Sequence, residues 1–195
     1  MQNSAIEEIL NYWNGLRKDR AAPLRSEFDP AALRHFLPHL FILATQASGR
    51  LTFALAGTRI CELFDRELRG SDYLSIWQKD QAAASPRDIA ESVRSGERPA
   101  LISANLSPDG DAYPYDLLLL PLRSSEAERS DRILGALVPR AAALPPLYMP
   151  IAKLGIRTWS FLDARAAPLR QERESSSVTF IRRMVGGGWF VQAGR

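Results

Sequence analysis

Apolar positions near the N-terminus recur at helical intervals, where Ile6, Ile9, Leu10, Trp13 and Leu16 line one face. Ser4-Ala5-Ile6-Glu7 has capping-box spacing, so an amphipathic helix is predicted that ends before Pro23. Asp29-Pro30 repeats the start signal, an acidic cap with proline at the first helical position, and the short helix it opens must stop by Pro38. Two strand-like runs follow. Leu40–Thr45 and Leu51–Ala56 flank Ala47-Ser48-Gly49-Arg50, which suits an antiparallel hairpin with a four-to-five-residue loop.

At Gly57-Thr58 the period switches, with Thr58 as the expected cap and Ile60, Leu63 and Phe64 forming a stripe that Gly70 breaks. Ser71-Asp72 and then Tyr73, Leu74, Ile76 and Trp77 predict one or two further turns. Ser85-Pro86-Arg87-Asp88 opens a cleaner helix with Ile89 and Val93 inward and Gly96 as its expected stop. After it the chain turns to β. Ala100–Leu106 alternates weakly, Ser107-Pro108-Asp109-Gly110 is a turn signal, and Tyr113–Leu122 is apolar on both faces. Such a strand is central, covered on each side by helices or by a partner. Arg132–Val138 is the last clear strand, stopped by Pro139. Leu154–Leu162 fits a strand or a helix, and Arg165–Ser177 has linker composition. The apolar residues of 178–195 predict docking on this chain or another. The expected partition is an N-terminal helix and linker over 1–28, a domain over 29–144 and a C-terminal extension over 145–195.

Composition narrows the class. A chain of 195 residues with 46% hydrophobic positions is long enough to bury a core without disulfides or a structural metal. The net charge of +3 sits wholly at the C-terminal end: residues 1–163 carry 19 Lys and Arg against 20 Asp and Glu, residues 164–195 six against two. A balanced body argues against nucleic acid as a partner, because phosphate binding needs a concentrated basic face. The single cysteine, Cys61, excludes an internal disulfide framework and any multi-cysteine zinc site, and agrees with a reducing compartment. No run approaches the ~18 apolar residues of a membrane span, and the acidic start at Glu7 and Glu8 lacks a secretory pattern. The cytoplasm is the expected location.

Two strands, a set of short helices and then three strands is the element order of a PAS domain. Trp13-Asn14-Gly15-Leu16-Arg17, Asp29-Pro30-Ala31-Ala32-Leu33, Leu37-Pro38, Ala56-Gly57-Thr58 and the Tyr115–Leu122 strand with its Leu-Pro-Leu resemble the stand-alone PAS proteins common in alphaproteobacteria. The resemblance spans residues 6–140. It implies an α+β fold: a PAS-like five-stranded antiparallel sheet with short helices on one face, here with an N-terminal helix and a C-terminal extension. It identifies no ligand, since PAS modules variously bind haem, flavins or small metabolites, or serve as dimerisation and docking surfaces. No kinase, cyclase, phosphodiesterase or DNA-binding signature accompanies it, so a sensory or regulatory module is expected to signal through contacts with an unidentified protein.

Haem-binding relatives take an axial histidine from the helix ahead of strand three, and Ser85–Gly96 contains none. His35 and His39 flank Pro38 and read as surface or structural residues; with Asp29 they make no complete metal set. Light-sensing relatives form a flavin adduct through an Asn-Cys-Arg-Phe-type motif on a later helix, whereas Cys61 sits in Arg59-Ile60-Cys61-Glu62 directly after strand two. Haem and a flavin adduct are therefore both disfavoured, and the cofactor is left open. With no Gly-x-Ser-x-Gly elbow, and with Gly186-Gly187-Gly188 lacking the Lys-Ser/Thr of a phosphate loop, enzyme activity is not expected.

In this fold, ligands lie between the concave sheet face and the short helices. The candidate pocket walls are Tyr73, Trp77 and Ile89 from the helices and Tyr115, Leu117 and Leu119 from the strand, with Arg59 or Arg94 available to an acidic group. The same residues also suit a filled core. Ile6, Leu10 and Trp13 either cover their own sheet or meet a symmetry mate, making them the candidate surface of a homodimer. A small metabolite in the pocket, or an adaptor role for the basic C-terminal tail, are the alternatives to a protein-contact module.

Overall fold

The computed structural model of the chain describes residues 4–79, 84–107, 113–125, 129–140 and 153–162. Helix α1 covers Ser4–Arg17 and buries Ile6, Ile9 and Trp13, the apolar stripe of the sequence. Asp29 caps a 3₁₀ turn over Pro30–Leu33 by accepting a bond from the Ala31 amide, and Pro38 lies in a second turn over Leu37–His39. Strands β1 (Leu40–Thr45) and β2 (Leu51–Ala56) pair antiparallel. Gly49 closes their loop at φ 76°, a left-handed conformation that glycine adopts without a Cβ penalty.

Helix α2 spans Thr58–Leu63, and its cap is Gly57 rather than the expected Thr58. Thr58 is already the first helical residue, so its hydroxyl cannot serve as the N-cap. Asp72 caps a 3₁₀ turn over Tyr73–Ile76 through the Leu74 amide, and Ser85 caps helix α3 (Pro86–Gly96) through the Asp88 amide. The stop of α3 also differs from expectation: Glu97, not Gly96, takes the left-handed position, at φ 48°. That conformation is uncommon for a residue with a side chain, and the Glu97 carboxylate is tied down by Arg123 and Ser130.

Strands β3 (Ala100–Ser107), β4 (Tyr113–Leu122), β5 (Arg132–Pro139) and β6 (Lys153–Phe161) complete an antiparallel sheet of order β2-β1-β5-β4-β3-β6. The expected five-stranded sheet is thus extended by a sixth strand. Lys153–Phe161 runs along β3 from Ser107 to Ala100, with one register shift beside Ala104. Leu154 and Ile156 alternate into the core opposite Leu106 and Ala104, which selects strand over helix. The extra strand also covers the edge that β3 would otherwise expose. The turn at residues 108–112 and the linker and tail of 163–195 lie outside the described residues.

Both sheet faces are covered, as the two-sided apolar pattern of β4 predicts. On the inner face Leu117 and Leu119 pack with α2, α3 and the Tyr73–Ile76 turn; on the outer face Leu118, Leu120 and Leu122 pack beneath α1. Phe41 pairs with Gly135 across β1 and β5, and its ring occupies the place a Cβ would take, with its Cζ 2.0 Å from that position. Pro121 fits a central strand because β3 pairs no further than Leu119.

Candidate functional site

The concave face brings together six of the eight pocket candidates. Tyr73 and Trp77 come from the 3₁₀ turn and its end, Ile89 from α3, and Tyr115, Leu117 and Leu119 from β4, all buried in one cluster. A chain of aromatic contacts fills it: Phe41 to Phe53 at 5.4 Å, Phe53 to Tyr73 at 6.2 Å and Tyr73 to Trp77 at 5.7 Å between ring centroids. Tilted and edge-to-face pairs at such separations contribute about 0.5–1.5 kcal/mol each beyond simple burial.

The two arginines do not join them. Arg59 stands on the exposed side of α2 and pairs with Glu62 at 2.9 Å. Arg94 pairs with Glu91 on its own helix and donates to the Ser130 carbonyl at 3.3 Å. Both engage a carboxylate three residues away along their helix, which holds their heads at the surface. The concave face therefore receives no cation from either.

Two polar atoms inside this apolar cluster lack a hydrogen-bond partner: the Tyr73 hydroxyl and the Trp77 indole N–H. Burial pushes the Tyr73 hydroxyl far above its ordinary pKa, with the Trp77 indole a partial counterweight, so it stays protonated and available as a donor. The two groups are neighbours but do not meet in hydrogen-bond geometry. Burial raises Tyr115 as well, to about 12. An unpartnered buried donor costs about 1–3 kcal/mol, and these two sit side by side, their rings 5.7 Å apart between centroids.

On the outer face, Ile6 and Trp13 are buried against their own sheet, and Leu10 packs at the edge of the same cluster. The Trp13 indole donates to the Pro121 carbonyl at 2.9 Å, and the Arg17 guanidinium lies 5.5 Å from the Trp13 ring centroid. A two-fold contact through Ile6 and Trp13 therefore requires α1 to leave its sheet.

The remaining chemical candidates are dispersed. His35 Nε2 accepts from Arg34, while burial holds His39 below its ordinary pKa. Cys61 is half-buried on α2, its sulfur 3.7 Å from Glu67 Oε1, and burial pushes the thiol up, away from thiolate reactivity. Among the described residues, no three His, Cys, Asp or Glu side chains gather into a metal set, and no helix is long and apolar enough to cross a membrane.

Sequence reasoning missed two polar networks. Glu97 accepts from Arg123 at 2.8 Å and from the amide and hydroxyl of Ser130, each at 3.0 Å, and these bonds hold its carboxyl below the usual range. Asp116, buried on β4, receives the Arg140 guanidinium at 2.7 Å. Asp116 interrupts an otherwise apolar strand, which was its only signal; Glu97 gave none, because its partners lie 26 and 33 residues away.

The strand order, with β1 between β2 and β5, and α2 and α3 laid over the inner face describe the fold, and a family model described as a PAS domain matches residues 1–138. The chain belongs to the PAS domain family. No curated protein matches this PAS domain. Among solved structures it is similar to a Light-Oxygen-Voltage domain studied with a flavin analogue, at 15% identity and a TM-score of 0.43, covering 57% of this chain and 84% of that one. The Rhodobacter sphaeroides LOV protein gives 14% identity and a TM-score of 0.43, with coverage of 60% and 70%. An RNA-binding Light-Oxygen-Voltage receptor gives 17% and 0.41, with coverage of 60% and 36%.

Proposed function

We infer that this PAS domain is a sensory or regulatory module that passes its state to other proteins by contact, with no catalysis of its own. The observation that supports it is the packed inner face: Phe41, Phe53, Tyr73, Trp77, Ile89 and Leu119 are buried together in one apolar cluster. A domain packed in this way offers its surfaces rather than a wide cavity. In-cell cross-linking followed by mass spectrometry tests it. Recurrent cross-links from this domain to a small set of proteins are expected; absence of any, together with a retained small molecule, overturns the reading.

A second reading rests on the two orphan donors. The Tyr73 hydroxyl and Trp77 indole together suit a small molecule with one carbonyl or carboxylate oxygen seated between the 3₁₀ turn and the sheet. Native mass spectrometry of the purified chain reports both subunit number and any retained mass. A defined extra mass that Tyr73→Phe abolishes supports the ligand; an empty chain that behaves identically with and without that substitution removes it.

A further inference from the structure

On the outer face, toward the edge strand β2, lies an open groove of about 390 Å³. Its floor is apolar, formed by Ile42, Ala54 and Leu55, and Leu55 is 50% exposed, the largest exposure of any big apolar side chain among the described residues. Three arginines stand on its rim: Arg25 from the segment after α1, Arg69 from the loop before the Tyr73–Ile76 turn, and Arg132 from the start of β5. Arg132 is partly engaged, by Asp131 at 3.7 Å and the Ser124 hydroxyl at 2.9 Å. The guanidinium groups of Arg25 and Arg69 have no ion pair among the described residues.

Among the described residues, Glu67 is the one carboxylate lining the groove, and its Oε1 already accepts from the Arg69 amide at 2.9 Å and faces the Cys61 sulfur. Three chain-distant segments thus concentrate cations around an exposed leucine, on a body whose charges otherwise balance. Arginine forks prefer carboxylates, and an apolar floor prefers an aliphatic or aromatic side chain.

We propose that this groove docks an acidic segment of a partner protein, one apolar residue seated over Leu55 and flanking carboxylates on Arg25, Arg69 and Arg132. The proposal rests on the protein-contact reading and names the chemistry of the contact. Strand β2 is the sheet edge there, with only its central part bridged by Gly70–Asp72, so an extended segment has backbone to follow.

A random-peptide display selection against the full chain, counter-selected with the R25E/R69E variant, tests it. Both side chains are exposed, and unchanged circular dichroism and melting temperature verify that the variant folds. Enriched peptides with Asp or Glu on both sides of a Leu, Ile or Phe are expected. A synthetic peptide of that consensus should bind the wild type at least about tenfold more tightly than R25E/R69E and weaken as salt rises. In amide spectra it should perturb residues 54–56 and 69. No enrichment, neutral or basic consensus peptides, or equal binding to both proteins overturns the groove. In-cell cross-links unaffected by R25E/R69E would also overturn it while leaving the protein-contact reading intact. Loss of all protein cross-links in the wild type would count against that broader reading instead.

Discussion

The two faces of the sheet are both packed, yet they treat their buried tryptophans differently. On the outer face, the Trp13 indole N–H has a carbonyl partner, that of Pro121, which β3 leaves free by ending its pairing at Leu119. On the inner face, the Trp77 indole and the adjacent Tyr73 hydroxyl have none. The outer tryptophan is thus paired within the protein, while these two inner polar atoms are not. A buried polar group is stabilising only when paired, so apolar packing alone does not distinguish a finished core from a binding site.

The largest effect that would test this contrast is on the outer face. Trp13→Ala removes a fully buried indole and its bond to Pro121, and a loss of about 3–5 kcal/mol is expected in denaturant unfolding. A loss below about 1 kcal/mol would mean that α1 is not part of the stable core. Smaller and opposite in sign is Tyr73→Phe, which keeps the ring and deletes an unpaired hydroxyl. Without ligand it should raise stability by about 1 kcal/mol, whereas Trp13→Phe should lower it. A destabilising Tyr73→Phe would show that the hydroxyl has an acceptor, and the contrast would fail.

The smallest effect belongs to the network at the end of α3. Bonds from Arg123 and Ser130 hold the Glu97 carboxyl below its ordinary range in the folded state. Its contribution is therefore fully present above the unfolded value of about 4.3 and disappears as pH falls through the lower folded value. Unfolding free energies measured from pH 6 to pH 3 should fall further for the wild type than for Glu97→Gln, by about 0.5 kcal/mol. Parallel curves would mean that the carboxylate gains nothing from these partners.

Much of the fold was legible because its signals are local. The stripe of α1, the start signals at Asp29 and Ser85, the turn predicted from Ser71-Asp72 onward and the two-sided run of β4 each act over a few residues and survive in the structure. The caps at Gly57 and Glu97 each lie one residue from the expected Thr58 and Gly96, which carry the usual signals, and at Glu97 bonds to Arg123 and Ser130 hold the left-handed position. In the candidate site, the apolar members were found from periodicity, and the arginines were not. Where a long flexible side chain ends depends on the nearest carboxylate, and Glu62 and Glu91 lie closer to Arg59 and Arg94 than the pocket does. The groove at Leu55 was invisible, because its three arginines meet only after the sheet has formed.

Strand β6 reaches its partner β3 only after β4 and β5 have been made. During synthesis, then, β3 has its β4 side closed while its other edge stays open until residue 161 has emerged. A nascent chain in that interval presents β3 with one edge of its backbone unpaired, a template for pairing with a neighbouring chain. The late strand is in this sense a closing latch, and the rate at which it arrives governs how long the unfinished domain is exposed to aggregation.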